Sequence, residues 1–138
     1  MNASGLIDIF KDAVADGVGT AIKVDEYDKV TLQLGSADDA LASAADLTIK
    51  FLVSVSNTAP NFAGTRTVAN HFEYVDVIDL QNGNSIDGDT GIRFGASGAA
   101  NDFRNLEVNF GGAKWVCAVI SGYVSGKLTL KAYGASRK

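Results

Sequence analysis

The apolar residues of this sequence recur at every second position. That is the period of a β-strand, whose successive side chains point to opposite faces. In "KVTLQLG", Val30, Leu32 and Leu34 alternate with Lys29, Thr31 and Gln33. In "LTIKFLVSVS", Leu47, Ile49, Phe51, Val53 and Val55 oppose Thr48, Lys50, Leu52, Ser54 and Ser56. In "KLTLKAY", Leu128, Leu130 and Ala132 oppose Lys127, Thr129 and Lys131. Such segments are half-buried antiparallel strands, one face on a core and one in water. The alternation predicts a core of Val30, Leu32, Leu34, Ile49, Phe51, Val53, Val108, Leu128 and Leu130.

Two segments break this rule by being apolar on both faces. "FEYVDVIDL" places Val75 and Val77 on one face and Phe72, Tyr74, Ile78 and Leu80 on the other. "AKWVCAVISGYVS" places Trp115, Cys117, Val119 and Tyr123 on one side, and Val116, Ala118, Ile120 and Val124 on the other. A two-faced strand is either central and covered twice, or turns its outer face to a partner subunit. The candidate subunit interface is therefore Trp115, Val119 and Tyr123, or Val116, Ile120 and Val124. The pattern does not choose between the two sides.

Turn signals punctuate the strands. Fifteen glycines against one proline indicate many tight turns. "FGGA" and "VSGK" flank the segment around Trp115, predicting two successive hairpins and a three-stranded C-terminal meander. Residues 36 to 46 hold one candidate helical turn, with Ser36 as N-cap. At the N-terminus, Leu6, Ile9, Phe10 and Val14 suit a helix, whereas Ile7, Ile9 and "TAIKV" suit an extended arm, the reading adopted here. Residues 57 to 71 form a long loop, of the kind that binds something or reaches a neighbour. Pro60, Phe62, Arg66 and His71 are its candidate contact residues. "GASGAAND", residues 95 to 102, reads as a mobile loop. The expected fold is all-β: a single-domain antiparallel β-sandwich, jelly-roll-like, with an extended N-terminal segment. Residues 1–20 are the arm or first strand, and residues 21–138 the sandwich.

Composition narrows the function. A chain of 138 residues suits one domain with a real core. Its net charge of −4, with no basic run, argues against nucleic acid as a partner. No apolar stretch approaches the length of a membrane helix. The N-terminus lacks the basic start and apolar block of a signal peptide. Cys117 is the only cysteine, so an intrachain disulfide is impossible, which fits assembly in a reducing cytoplasm.

Each candidate for chemistry fails a spacing test. "LQNGNSIDGDTGIRFG" is rich in Asn, Asp and Gly, but an EF-hand loop needs ligands at positions 1, 3 and 5, Gly at 6 and Glu at 12. With Gly88 at position 6, Gly83 falls at 1 and Ser85 at 3. With Gly91 there, Gly88 falls at 3 and Ser97 at 12. The stretch reads as two turns, with an unconventional site at Asp87 and Asp89 as the alternative. His71 is the only histidine, and no serine elbow accompanies it. Cys117, between Val116 and Ala118, reads as a small buried hydrophobe. "GVGTA" lacks the third glycine of a phosphate-binding loop. Trp115 with Tyr123 would make a sugar-stacking platform, though core or interface aromatics are the commoner use of such a pair. The expectation is no catalytic residue, no cofactor and no metal site.

"LTIKFLVSVSNTAPNF", "YVDVIDLQNGNSIDGDTGI" and "NLEVNFGGAKWVCAVISGYVSGKLTLKAYG" together resemble the small β-sandwich virion proteins of tailed bacteriophages. "GVGTAIKVDEYDKVTLQL" fits as well, so the resemblance covers most of the chain. It implies a structural, non-enzymatic role as a capsid cement or decoration protein. Such a protein is made in the host cytoplasm and sits on the outer surface of the virion capsid. The implied partners are the phage major capsid protein and further copies of this chain. A trimer suits a local threefold position of an icosahedral lattice. The alternative is a head-fibre, tail or baseplate module that binds host-surface glycan.

Overall fold

The computed structural model describes residues 2–3, 5–35, 46–94 and 103–136. In chain order the strands are β1 (Asn2–Ala3), β2 (Ile7–Ala13), β3 (Gly17–Val18), β4 (Ile22–Lys23), β5 (Lys29–Gly35), β6 (Asp46–Ser54) and β7 (Glu73–Tyr74). They continue with β8 (Val77–Asp79), β9 (Ser85–Ile86), β10 (Ile92–Phe94), β11 (Phe103–Val108), β12 (Trp115–Ser125) and β13 (Leu128–Ser136). The described residues contain no helix. The candidate helical turn after Ser36 and the loop 95–102 lie outside the described residues, apart from Asp46, which opens β6.

The strands form two antiparallel sheets that pack face to face. The first runs β1–β13–β5–β11–β8–β9, with β2 also paired to β13. The second runs β10–β6–β12–β3, with β4 also on β12 and β7 also on β6. One apolar cluster fills the space between them. Val30, Leu32, Leu34, Leu106, Leu128 and Leu130 enter from the first sheet, and Leu47, Ile49, Phe51, Val116, Ala118 and Ile120 from the second. Of the nine core residues expected from the alternation, eight are buried. Val53 is half-buried and packs against the same cluster. Each such side chain contributes roughly 1.5–3 kcal/mol by leaving water.

The alternation sorts the strands between layers. β5 and β13, apolar on one face, lie in the first sheet, whose outer side stays wet. β6 and β12, the long strands with apolar residues on both faces, pair with each other at the centre of the second. This arrangement overturns the expected C-terminal meander. β11 and β13 both flank β5, whereas the intervening β12 pairs with β6. The two turns around β12 therefore cross between layers and close no hairpin.

The segment 72–80 also departs from expectation. It is two short strands, with β7 on β6 in the second sheet and β8 on β11 in the first. Its double apolarity comes from this crossing. Phe72 is buried outside the second sheet, Val75 and Val77 are buried between the layers, and Leu80 is exposed. The N-terminal residues are extended. β2 lies along β13, and β3 joins the second sheet beside β12.

Candidate functional site: the capped face of the second sheet

The central pair of the second sheet is in register from Ser54↔Trp115 to Thr48↔Ser121. Alternation along β12 sends Val116, Ala118 and Ile120 into the core, and Trp115, Cys117 and Val119 to the outer face. So the inward side of this strand is the one carrying Val116 and Ile120.

The strand does not keep that alternation to its end. The pairing with β6 shifts between Ser121 and Ser125, and Gly122 has φ +62°, a value that favours glycine. The irregularity reverses the facing of the residues that follow. Tyr123 packs against the inner core, and its hydroxyl donates to the Gly126 carbonyl at 3.0 Å. Val124, assigned to the inner side with Ile120, is 68% exposed. Trp115 and Tyr123 thus occupy opposite faces, and the sugar platform they would have made does not form.

The outer face at Cys117 is covered by the chain's own loop. Phe62 within it and Phe72 just after it meet with ring centroids 5.3 Å apart and bury Leu52 and Cys117 beneath them. Trp115 packs at the edge of this cluster, and its indole N–H donates to the Ser56 carbonyl at 3.1 Å. Val18, Ala21 and Val119 complete the half-buried margin. The loop is built on internal hydrogen bonds. The Asn70 side chain accepts from the Asn61 amide at 2.7 Å and donates to the Asn61 and Thr65 carbonyls. Thr67 Oγ1 accepts from the Asn70 amide at 3.0 Å, and Ser54 Oγ donates to the His71 carbonyl at 2.7 Å. Beyond this frame Arg66 pairs with Glu73 at 2.7 Å and stacks near Tyr74, which Lys50 also approaches.

The loop's candidate contact residues have different fates. Phe62 is buried in the cap, Pro60 is half-buried, and Arg66 and His71 are exposed. The residue that sequence reasoning passed over is Val68, 97% exposed at the loop's far end. A lone valine between Thr67 and Ala69 gave no periodic signal. Asn61 and Asn70, turn-favouring residues that sequence reasoning did not single out, are what hold the loop.

Cys117 is fully buried, and burial pushes its thiol from 9.0 up to about 11, against two backbone hydrogen bonds that lower it. Its Sγ–H lies 3.3 Å from the Gly19 carbonyl it donates to. A thiol so placed is packing, with little thiolate for chemistry. The 79–91 stretch is turn chemistry. Asn82 Oδ1 accepts from the Asn84 amide and Asp87 Oδ1 from the Asp89 amide, both at 2.9 Å. Asp89 pairs with Lys50 at 3.4 Å, and buried Asp79 accepts from the Gln81 amide. Gly83 and Gly91 take φ +75° and +69°, as such turns require.

No family model matches the chain, and no curated protein matches it in sequence. Among solved structures it is similar to the crystal structure of the SPBc2 prophage-derived protein YomS, with a TM-score of 0.60 and 12% sequence identity. The match spans 97% of this chain and 95% of that one. At that identity the likeness is one of fold: the same β-rich sandwich occurs in a prophage-derived protein.

Proposed function

We propose that this chain is a non-catalytic structural protein of a tailed-phage virion. It cements or decorates the outer capsid surface by binding neighbouring major capsid subunits. The observation that carries the reading is the 57–71 loop together with Phe72 after it. Phe62 and Phe72 pin it to the sandwich, asparagine hydrogen bonds hold it, and it presents exposed Val68 beside the Arg66–Glu73 pair. A pre-ordered loop loses little entropy on docking, so an apolar tip with flanking charges suits a fixed lattice site. The fold shared with a prophage-derived protein supports the same direction. Val119 and Val18, at the half-buried margin of the cap, are where further copies of the chain would pack, as a trimer about a local threefold axis.

Imaging the intact particle and locating this chain in the reconstruction is the direct test. Density on the head surface at capsid subunit junctions is the expected result. Density confined to the tail or baseplate overturns the reading. Purified Val68→Asp protein should fold normally and lose binding to undecorated heads.

A further inference from the structure

We propose that Asn82 is a site of spontaneous deamidation and isoaspartate formation, held in check by its own turn and released when the β8–β9 hairpin opens. Asn82–Gly83 is the only Asn-Gly pair in the sequence. The reaction needs no catalyst and no co-reactant but water. The Gly83 amide nitrogen attacks the Asn82 side-chain carbonyl carbon. A C–N bond forms, a cyclic succinimide closes, and the side-chain nitrogen leaves as ammonia, carrying away the proton that the Gly83 nitrogen gave up. Water then opens the ring at either carbonyl. One opening gives aspartate, and the other gives isoaspartate, in which the main chain runs through Cβ. Glycine is the favourable neighbour because no side chain shields its nitrogen. At Gly83 the space is open as well, since a Cβ there would meet nothing within 4 Å.

The folded turn withholds what the reaction requires. The Gly83 N–H, whose proton must leave, donates to the Asp79 carbonyl at 2.7 Å. That bond closes an α-turn with Gly83 at φ +75°. Around it the Asp79 amide donates to the Asn84 carbonyl at 2.9 Å, and the Asn84 amide to Asn82 Oδ1 at 2.9 Å. Losing the Gly83 proton breaks the turn's closing bond, so attack waits on local opening. Little holds the hairpin shut. β9 is two residues long, ends the first sheet beyond β8, and packs on the core through half-buried Ile86. Asp87–Gly88, which would form the same ring by losing water, is barred twice. Its carboxylate is negative and resists attack. Gly88 is also clamped, its carbonyl accepting from the Phe51 amide at 3.3 Å, and a Cβ on it would lie 2.0 Å from the Val75 carbonyl oxygen. Isoaspartate at 82 adds a methylene to the main chain of the turn. The Val77↔Ile86 and Ile78↔Ser85 pairing then loses its register, and the modified turn stays open.

The test is a time course in mildly alkaline buffer on the native chain and on the chain unfolded in guanidinium chloride. Peptide mass mapping reads the loss of each asparagine, and isoaspartyl methyltransferase labelling identifies the isoaspartate. The unfolded chain should convert at Asn82 ahead of every other asparagine, and the native chain at least about tenfold more slowly. Ile86→Ala loosens β9 at a half-buried position. It should keep the wild-type circular dichroism, speed native conversion at Asn82 several-fold and leave the unfolded rate unchanged. Equal rates in the native and unfolded chains would overturn the proposal. So would another asparagine reacting first in the unfolded chain, or native Ile86→Ala converting no faster than wild type.

Discussion

Leu52 of β6 and Cys117 of β12 stand opposite one another in register, 2% and 0% exposed, on the face of the second sheet that points away from the core. Their burial depends on Phe62 and Phe72. A sandwich of two layers covers only one side of each sheet, and here the loop carrying Phe62, with Phe72 after it, acts as a local third layer on part of the other.

Removing that layer should be measurable twice. Phe72→Ala is expected to cost about 3 kcal/mol in a urea melt, at the low end for a buried Phe because the site lies near the surface. In the native state it should also speed reaction of Cys117 with a thiol reagent. If reagent access is unchanged, the loop is not what shields the thiol.

The raised Cys117 thiol gives stability a defined pH dependence. Its folded value, about 11, lies above the ordinary 9.0. The folded state therefore holds the proton more tightly than the unfolded chain. This contribution is fully present below pH 9 and is lost as pH rises towards 11. Across that window it amounts to about 2–3 kcal/mol. Denaturation curves of Cys117→Ala should decline less steeply than wild type over the same range. Parallel curves would remove the effect.

The turn glycines should differ in sensitivity. A Cβ at Gly88 would lie 2.0 Å from the Val75 carbonyl oxygen, so Gly88→Ala forces backbone apart and should cost at least about 3 kcal/mol. A Cβ at Gly83 meets nothing within 4 Å, and only its φ of +75° opposes alanine. Gly83→Ala should cost about 1–2 kcal/mol. Thermal melts of the two variants give the comparison.

Metal should leave stability alone. Asp87 is engaged with the Asp89 amide and Asp89 with Lys50, so these carboxylates already close their own turn. EDTA, or calcium added after it, is expected to leave the melting temperature unchanged. A fall of several degrees with EDTA that calcium restores would establish a cation site at this turn.

Ile120 and Val119 are neighbours with opposite consequences. Ile120 is 1% exposed within the inner core, and Ile120→Asp buries a charge without a partner, which should abolish folding. Val119 lies at the half-buried outer margin, so Val119→Asp should remain folded. Light scattering should show wild type as a trimer at micromolar concentration and Val119→Asp as a monomer. A monomeric wild type would end the oligomer proposal.

The period-two pattern by itself determined the class of fold, and eight of the nine core residues it named are buried. Val30, Leu32 and Leu34 alternate with polar neighbours, and only a strand with one wet face satisfies that arrangement. The turns at Asn82 and Asp87 were legible for a similar reason, since their hydrogen bonds join residues two apart in sequence. What the sequence could not decide was which strand lies beside which. β11, β12 and β13 follow one another closely, yet the middle one belongs to the other sheet. A local pattern records which residues seek burial and is silent on the layer that buries them. The facing of Tyr123 turned on a register shift near Gly122, because one irregularity reverses every side chain beyond it. β5 meets β11 and β13, and β13 meets β2, only through pairings between residues 68 to 125 positions apart, and only the tertiary structure brings them together.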